Sequence, residues 1–489
     1  VALAPTPDSA YGTSVGPGVD WHPETALSST PRILIPFLAA CALAWCSLPE
    51  AHAATAKHSK PAAKTAARAK ASTARGAASK NSRKTKARGK AATRHLVEFA
   101  PVIVPTVDAS KVSRDANAIA REFNRWLDDI EASHSVSGLA AAVIKDEQVL
   151  VERTVGYADT STGERVGGDT VFRLASLSKA FATAMTGLLV DAGRLHWNTR
   201  ISGMLPTFAL NDEAASERLT VGDILSHRVG LPHNTYDNLL EQDEPYEELV
   251  DRLKEVPLAC PVGDCYGYQN IAFSLIGDVV FATTGDFYYH QVEKRIFHPL
   301  GMTTATYGRD ALESSKSWAR PHHRAGEGWS PFVPAEAYYR VAPAAGVNAS
   351  IRDMEQWLMA QMGERPNVLP PALLDTLHKP VVETAREMRS TPWRRGRLLD
   401  AQYALGWRIY DYAGETLVFH AGAVQGYRAM IAFLPKYRFG AIMLWNCESA
   451  VPSGLMPMLF DRYLGLPDVN WAGIENGDAK DDKEIGSAD

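Results

Sequence analysis

At 489 residues the chain is too long for one average domain, and a 46% hydrophobic, 22% charged composition excludes a protein disordered along its whole length. Its formal net charge of −5 conceals an asymmetry: residues 54–96 hold 13 Lys and Arg and no Asp or Glu, residues 1–53 carry −3, and residues 97–489 carry −15. The chain is therefore an acidic body wearing a basic arm, and not a uniformly neutral globule.

The first 53 residues read as a leader. Arg32 precedes the apolar run Ile33 to Cys46, and Ala51-His52-Ala53 has the small-x-small form after which signal peptidase cleaves. The run is short for a retained membrane anchor, so the mature protein is expected to start at Ala54 with no transmembrane span. Leu38-Ala39-Ala40-Cys41 also resembles a lipoprotein processing box, but too little apolar sequence precedes it. The chain does not begin with Met, and its natural start is expected later than Val1. Export places the protein in the periplasm or at the cell surface.

Residues 54–101 are rich in Ala, Lys, Arg, Ser and Thr and have few large apolar side chains, so they cannot bury enough surface to offset their ordering entropy. They are expected to form a disordered linker. In an exported protein its polyanionic partner would be an envelope polymer or lipid headgroup and not nucleic acid, with a plain solvated tether as the alternative.

The folded body is expected over residues 102–467. Ile119, Phe123, Trp126 and Ile130 recur at helical spacing within residues 112–133. Residues 139–144 and 148–155, separated by Lys-Asp-Glu, read as a β-hairpin. An apolar helix follows over residues 176–192, and residues 219–361 are helical and loop-rich. Strands return at 416–420, 427–434 and 439–445, with Pro-Lys-Tyr-Arg as the last turn, and a helix at 453–464 closes the body. Strands at both ends around a helical middle predict an α+β fold: one antiparallel sheet built from the chain termini and flanked by helices, plus a mostly helical lobe. Residues 468–489 read as an acidic, fraying tail.

Three short elements carry chemistry. In Phe172-Arg173-Leu174-Ala175-Ser176-Leu177-Ser178-Lys179, Ser176 and Lys179 sit three apart at a helix start and so share one face. A serine hydroxyl needs an adjacent base or cation to act as a nucleophile, and the free N–H groups of a helix start suit an oxyanion. Tyr266-Gly267-Tyr268-Gln269-Asn270 offers a phenol for acid/base work two residues before an amide. His420-Ala421-Gly422, followed by Ala423, lies in a strand whose small residues let a substrate approach the backbone.

Together the three elements resemble the serine β-lactamase and penicillin-binding protein superfamily, in particular the class C β-lactamase-related branch, which includes D-Ala-D-Ala carboxypeptidases, D-aminopeptidases and esterases. Ile224-Leu225-Ser226-His227-Arg228-Val229-Gly230-Leu231-Pro232 is similar to its L-L-S-H-x-S-G-L-P segment, with Val229 in place of the second Ser. His298-Pro299-Leu300-Gly301-Met302, Pro343-Ala344-Ala345-Gly346 and Tyr403-Ala404-Leu405-Gly406-Trp407 resemble further segments of the branch.

The resemblance implies a β-lactamase/transpeptidase-like fold and an acyl-enzyme on Ser176, with Lys179 and Tyr268 moving its proton. It implies an oxyanion hole from the backbone N–H groups of Ser176 and Ala423, and substrate contacts from Asn270, His420 and Gly422. The branch's β-lactamases mostly carry Lys at the position of His420, so His420 is expected to face a substrate carboxylate and to bind it best when protonated, near pH 6.5. The implied function is hydrolysis of D-alanyl peptides or β-lactams, with a carboxylesterase or a non-turnover penicillin sensor as alternatives.

Other residues read as structural. His227 is expected to hydrogen-bond within its loop, and His322 and His323, between Arg320 and Arg324, to lie on the surface. No metal-binding or nucleotide-binding motif occurs, so neither a metal nor another cofactor is assigned. Among the five cysteines, Cys41 and Cys46 fall in the leader, and Cys447 is far from the others. Cys260 and Cys265 either close a small disulfide or remain two thiols.

Overall fold

The computed structural model describes residues 103–475 and 478–479. The expected leader (1–53), the linker (54–101) and the end of the tail lie outside the described residues.

The chain enters through α1 (Ala116–Ala132), started by the Asp115 carboxylate, which accepts from the Ala118 N–H at 2.9 Å. It continues into the hairpin of β1 (Gly138–Lys145) and β2 (Gln148–Asp159), then the short β3 (Glu164–Arg165). After the buried helix α2 (Ser178–Asp191) comes a lobe of mostly short helices, of which α3 (Ile271–Thr284) is the longest. Helix α4 (Ile351–Gln361) leads back to the sheet. There β4 (Val382–Glu383), β5 (Leu398–Tyr403), β6 (Arg408–Tyr412), β7 (Glu415–Val424), β8 (Tyr427–Leu434) and β9 (Phe439–Trp445) run in turn before α5 (Val451–Leu464).

These strands form one nine-stranded antiparallel sheet in the order β3-β2-β1-β9-β8-β7-β6-β5-β4. The N-terminal hairpin joins the C-terminal strands through β1 and β9, with Leu139 opposite Trp445 and Lys145 opposite Phe439. Both faces of the sheet are covered. Alternate residues of β1 show it: Ala140, Ala142 and Ile144 face the helical lobe, while Leu139, Ala141 and Val143 face α1 and α5. This is the antiparallel sheet, flanking helices and helical lobe that the sequence predicts.

Two details depart from the sequence reading, and a third that it left open is decided. The body does not stop at Pro467: the Trp471 indole N–H donates to Asp461 at 2.8 Å, its ring lies 5.0 Å from the Arg397 guanidinium, and Ala472 is buried. An aromatic ring that can pack on a buried Arg–Asp pair is held in place despite the acidic residues beyond it. His322 is buried and not on the surface; its Nδ1–H donates to the Arg320 carbonyl at 2.7 Å and its Nε2 accepts from the Thr160 N–H at 3.2 Å. His323 is exposed, as expected. Cys260 and Cys265 are bonded to each other, which ties the loop before Tyr266 to itself.

One buried group gives the fold a pH dependence. Glu355 on α4 is 5% exposed, its Oε1 has no hydrogen-bond partner, and its carboxyl is pushed up to about 8 by burial and by the neighbouring Glu152. Between its ordinary value and about 8, the unfolded chain has lost this proton and the folded chain has kept it. The unfolded state then binds fewer protons, so this group's contribution to stability falls as pH rises through that window. Glu355→Gln should flatten that part of the profile. Urea denaturation at pH 5 and pH 8 should show a smaller difference in midpoint for the variant than for the wild type.

Candidate active site

The site forms where α2 starts beneath the end of β7. A single 3-10 turn, Ala175–Leu177, precedes α2, so the nucleophile candidate Ser176 sits in that turn and not in the α-helix itself. Ala175 is held at φ +49°, a left-handed conformation that is strained for a residue with a Cβ. The turn is fixed on two sides: the Ser178 hydroxyl donates to the Ala175 carbonyl at 2.6 Å, and the Leu174 N–H donates to the Val347 carbonyl at 2.9 Å. Ser178 also accepts from the Val347 N–H at 3.0 Å, which makes it a structural serine.

Lys179 is fully buried one turn along. Its ammonium donates to Asn270 Oδ1 at 2.6 Å, to the Ala344 carbonyl at 3.2 Å and to Ser176 Oγ at 3.3 Å. It also lies 4.5 Å from the Tyr268 ring centre. Three chain segments far apart in sequence therefore converge on one cation. Asn270 is saturated on both ends of its amide, since its Nδ2 donates to Asp237 at 2.7 Å. Tyr268 is 2% exposed and its ring centre lies 4.3 Å from that of His227. His227 Nδ1 accepts from the Gln269 N–H at 3.2 Å and its carbonyl accepts from the Gly267 N–H at 2.9 Å, so His227 holds the Tyr268 turn. That agrees with its structural reading.

The end of β7 supplies the opposite wall. β6 pairs with β7 only as far as Phe419, and residues 420–424 pair with β8 alone, which leaves their other backbone edge facing the Ser176 turn. Gly422 is what allows the approach. A Cβ there would lie 2.2 Å from the Leu174 carbonyl oxygen and 3.1 Å from the Ser176 nitrogen. Ser176, Asn270 and Ala423 together line a cleft of about 320 Å3. A second cavity of about 730 Å3 opens beside Tyr266 and Gly267, walled by Leu231, Pro232 and the segment 383–387.

His420 requires a correction. The ring is fully buried; its Nδ1–H donates to the Ala421 carbonyl at 2.8 Å, and its Nε2 accepts from the Tyr403 hydroxyl at 3.3 Å. Burial, reinforced by the Arg408 and Lys179 cations, holds its pKa well below the usual histidine value. Burial likewise keeps the Tyr403 phenol protonated and able to donate. The ring is therefore neutral with both nitrogens engaged, and the expected protonation-dependent contact with a carboxylate is not built.

Sequence reasoning missed the charges behind this wall. Arg408 is buried, with its guanidinium carbon 5.7 Å from the Tyr268 ring centre and its Nε 3.5 Å from Glu387. Burial works against the Arg408 charge, but Glu387 and the surrounding tyrosines more than offset it. Glu387 also accepts from Arg394 at 2.7 Å and from the Tyr410 hydroxyl at 3.1 Å. Burial alone would raise its carboxyl, yet Arg408 and Arg394 hold it below the usual range. Asp237 was missed as well. Neither residue lies in a recognisable motif; the only local signal for Arg408 was a charge directly after Tyr403-Ala404-Leu405-Gly406-Trp407.

A buried serine–lysine–tyrosine constellation at a helix start, facing a strand end of a flanked antiparallel sheet, defines a penicillin-recognising serine hydrolase fold. The chain belongs to the β-lactamase family, whose model matches residues 123–456. It is similar to the unguisins hydrolase ungD' of Aspergillus campestris, at 26% identity over 369 residues that cover 72% of this chain and 66% of the relative. It is also similar to protein flp of Staphylococcus aureus, at 24% identity over 327 residues, covering 66% of this chain and 61% of the relative. The chain thus spans just under two thirds of the length of these curated relatives. Among solved structures, the octameric penicillin-binding protein homologue from Pyrococcus abyssi superposes with a TM-score of 0.61 at 21% identity, covering 71% of this chain and 77% of that one. SurE with D-Leu superposes with a TM-score of 0.54 at 21% identity, covering 71% and 74%. At these identities the superpositions establish the fold.

Because Gly422 sets the distance between β7 and the nucleophile turn, Gly422→Ala should force backbone atoms apart. A misplacement near 1 Å costs about 100-fold in rate. The variant should stay folded by circular dichroism while its rate of labelling by a fluorophosphonate falls by about that factor. Labelling at the wild-type rate would contradict this role.

Proposed function

We propose that this protein is an exported serine hydrolase that cleaves D-amino-acid peptides through an acyl-enzyme on Ser176. The observation that carries the reading is the buried Lys179 ammonium, held by the neutral acceptors Asn270 Oδ1 and the Ala344 carbonyl and within 3.3 Å of Ser176 Oγ. In this scheme Ser176 Oγ attacks the scissile carbonyl while its proton passes to Tyr268 reacting as its phenolate, which the adjacent Lys179 ammonium stabilises. The backbone N–H groups of Ser176 and Ala423 hold the oxyanion, and the proton then passes to the departing amine. Water, deprotonated by the same pair, releases the acyl group and regenerates Ser176.

Three observations favour a D-peptide over a β-lactam. His420 is neutral and engaged, so the position where β-lactamases of the branch hold a carboxylate has no charge here. The cavity of about 730 Å3 beside Tyr266 has room for an extended leaving group. A structural neighbour, SurE, was solved with D-Leu. The neutral His420 also favours a second reading, a carboxylesterase on the same scaffold.

Purified protein assayed with a D-Ala-D-Ala peptide, nitrocefin and p-nitrophenyl acetate separates these readings. Sustained turnover of the ester alone would favour the esterase, and a burst without a steady state would favour a penicillin sensor. Ser176→Ala should abolish turnover and covalent labelling by a fluorophosphonate. Ser178→Ala should keep the label while losing about 1–3 kcal/mol of stability, because the Val347 N–H and the Ala175 carbonyl lose their partner. Label persisting on the Ser176 variant would sink the assignment.

Export and envelope attachment belong to the same proposal, supported by the apolar run before Ala51-His52-Ala53 and by the 13 basic residues of the arm. Binding to isolated envelopes should weaken as salt shortens the Debye length from ~10 Å at 0.1 M to ~3 Å at 1 M. Deleting residues 54–94 should abolish that binding; equal binding by the truncated protein would rule the tether out.

A further inference from the structure

We infer that the cleft beside Ser176 receives a free ammonium group, so that the substrate's reacting residue carries an unblocked amine, and that Asp237 is the residue that selects it. The inference rests on the acyl-enzyme reading above and narrows its substrate class.

In that reading Tyr268 passes a proton to the leaving group. The leaving group is then assigned to the cavity beside Tyr266, and the acyl portion to the cleft of about 320 Å3 that Ser176 itself lines. The chemistry of that cleft is one-sided. Its wall carries the carboxylates of Asp237 and Glu241 and the side chains of Asn234, Asn270 and Tyr338, with no Lys, Arg or His among the lining residues. Asp237 accepts from Asn270 Nδ2 at 2.7 Å, and Glu241 accepts from the Tyr338 hydroxyl at 2.9 Å.

Asn234 adds an independent observation. It sits at φ +53°, and its side-chain carbonyl oxygen is buried with no hydrogen-bond partner. A buried acceptor without a donor is costly and uncommon in a finished site, and a bound donor would satisfy it. An ammonium brings three N–H donors and a positive charge to this set of acceptors. An N-acylated residue brings one N–H and a carbonyl oxygen that would face carboxylates. A carboxylate would meet like charge at short range.

The cations nearby do not line the cleft. Lys179 donates to Ser176, Asn270 and Ala344, Arg408 faces Glu387, and His420 is neutral. The wall on the acyl side therefore favours an amino-terminal D-residue over the acylated residue that a carboxypeptidase or a β-lactam presents.

The test compares kcat/KM for D-alanine p-nitroanilide and for its N-acetyl derivative, with p-nitrophenyl acetate as a third substrate. The wild type should prefer the free amine by at least tenfold, and the preference should decline as pH rises through the amine's own pKa near about 8. Asp237→Asn should bring the ratio to within about threefold, and Glu241→Gln should lower it less. Because a ratio is read, a general loss of rate from disturbing Asn270 cancels. A wild type that treats both anilides alike, prefers the acetylated one or leaves the free amine untouched overturns the inference, as does an Asp237→Asn variant with the wild-type ratio. If p-nitrophenyl acetate is still turned over in those cases, the hydrolase reading survives. If it is not turned over and Ser176 resists labelling, the acyl-enzyme reading fails with it.

Discussion

The Lys179 ammonium is buried with no water-facing surface, and removing such an ion from water costs several kcal/mol even after relaxation. That cost is offset by acceptors from three separate parts of the chain: Ser176 in the turn before α2, Asn270 before α3 and Ala344 before α4. Each of these must arrive within hydrogen-bond distance or the charge is left uncompensated. Lys179 thereby ties the Ser176 turn to the segments that precede α3 and α4. Asn270 is in turn oriented by Asp237, and the Tyr268 turn by His227, so the second ring of contacts follows from the first.

A second buried charge sits behind Tyr268. Arg408, Glu387 and Arg394 form a closed set in which two cations share one carboxylate, and His420 beside them is kept neutral. A buried ion set of this kind is weak as a source of stability but strict about geometry, because removing one partner strands the others. Its effect here is electrostatic: it leaves a fixed positive potential behind the phenol while no titrating cation lines the cleft. The cleft polarity then depends on Asp237 and Glu241, which line it together with Ser176.

Much of this was legible in the sequence because it is local. Apolar runs in β1 and the C-terminal strands marked the sheet, since a strand buried on both faces reads as a continuous apolar stretch. Ser176 and Lys179 share a helix face by spacing alone, and the Tyr–x–Asn and His–x–Gly elements gained weight from one another. What stayed hidden depends on tertiary placement. Asp237 and Arg408 are single charges in ordinary surroundings until the chain brings them to Asn270 and Tyr268. His420 reads as a titrating group until Tyr403, seventeen residues earlier, caps its free nitrogen. Trp471 looks like part of a polar tail until Arg397 and Asp461 supply a surface for its ring.

The backbone immediately before the nucleophile is strained, with Ala175 at φ +49°. Such a conformation costs about 1–3 kcal/mol and persists only where its surroundings over-determine it. Here they do: Ser178 holds the Ala175 carbonyl, Val347 holds Leu174, and Gly422 lets β7 close over the turn. A glycine at 175 would relax the strain, but it would also free the turn to leave the orientation that aims Ser176 at the open edge of β7. The strained alanine and the absent Cβ of Gly422 therefore act on the same distance from opposite sides. One fixes where the hydroxyl points, and the other fixes how near the strand edge can come.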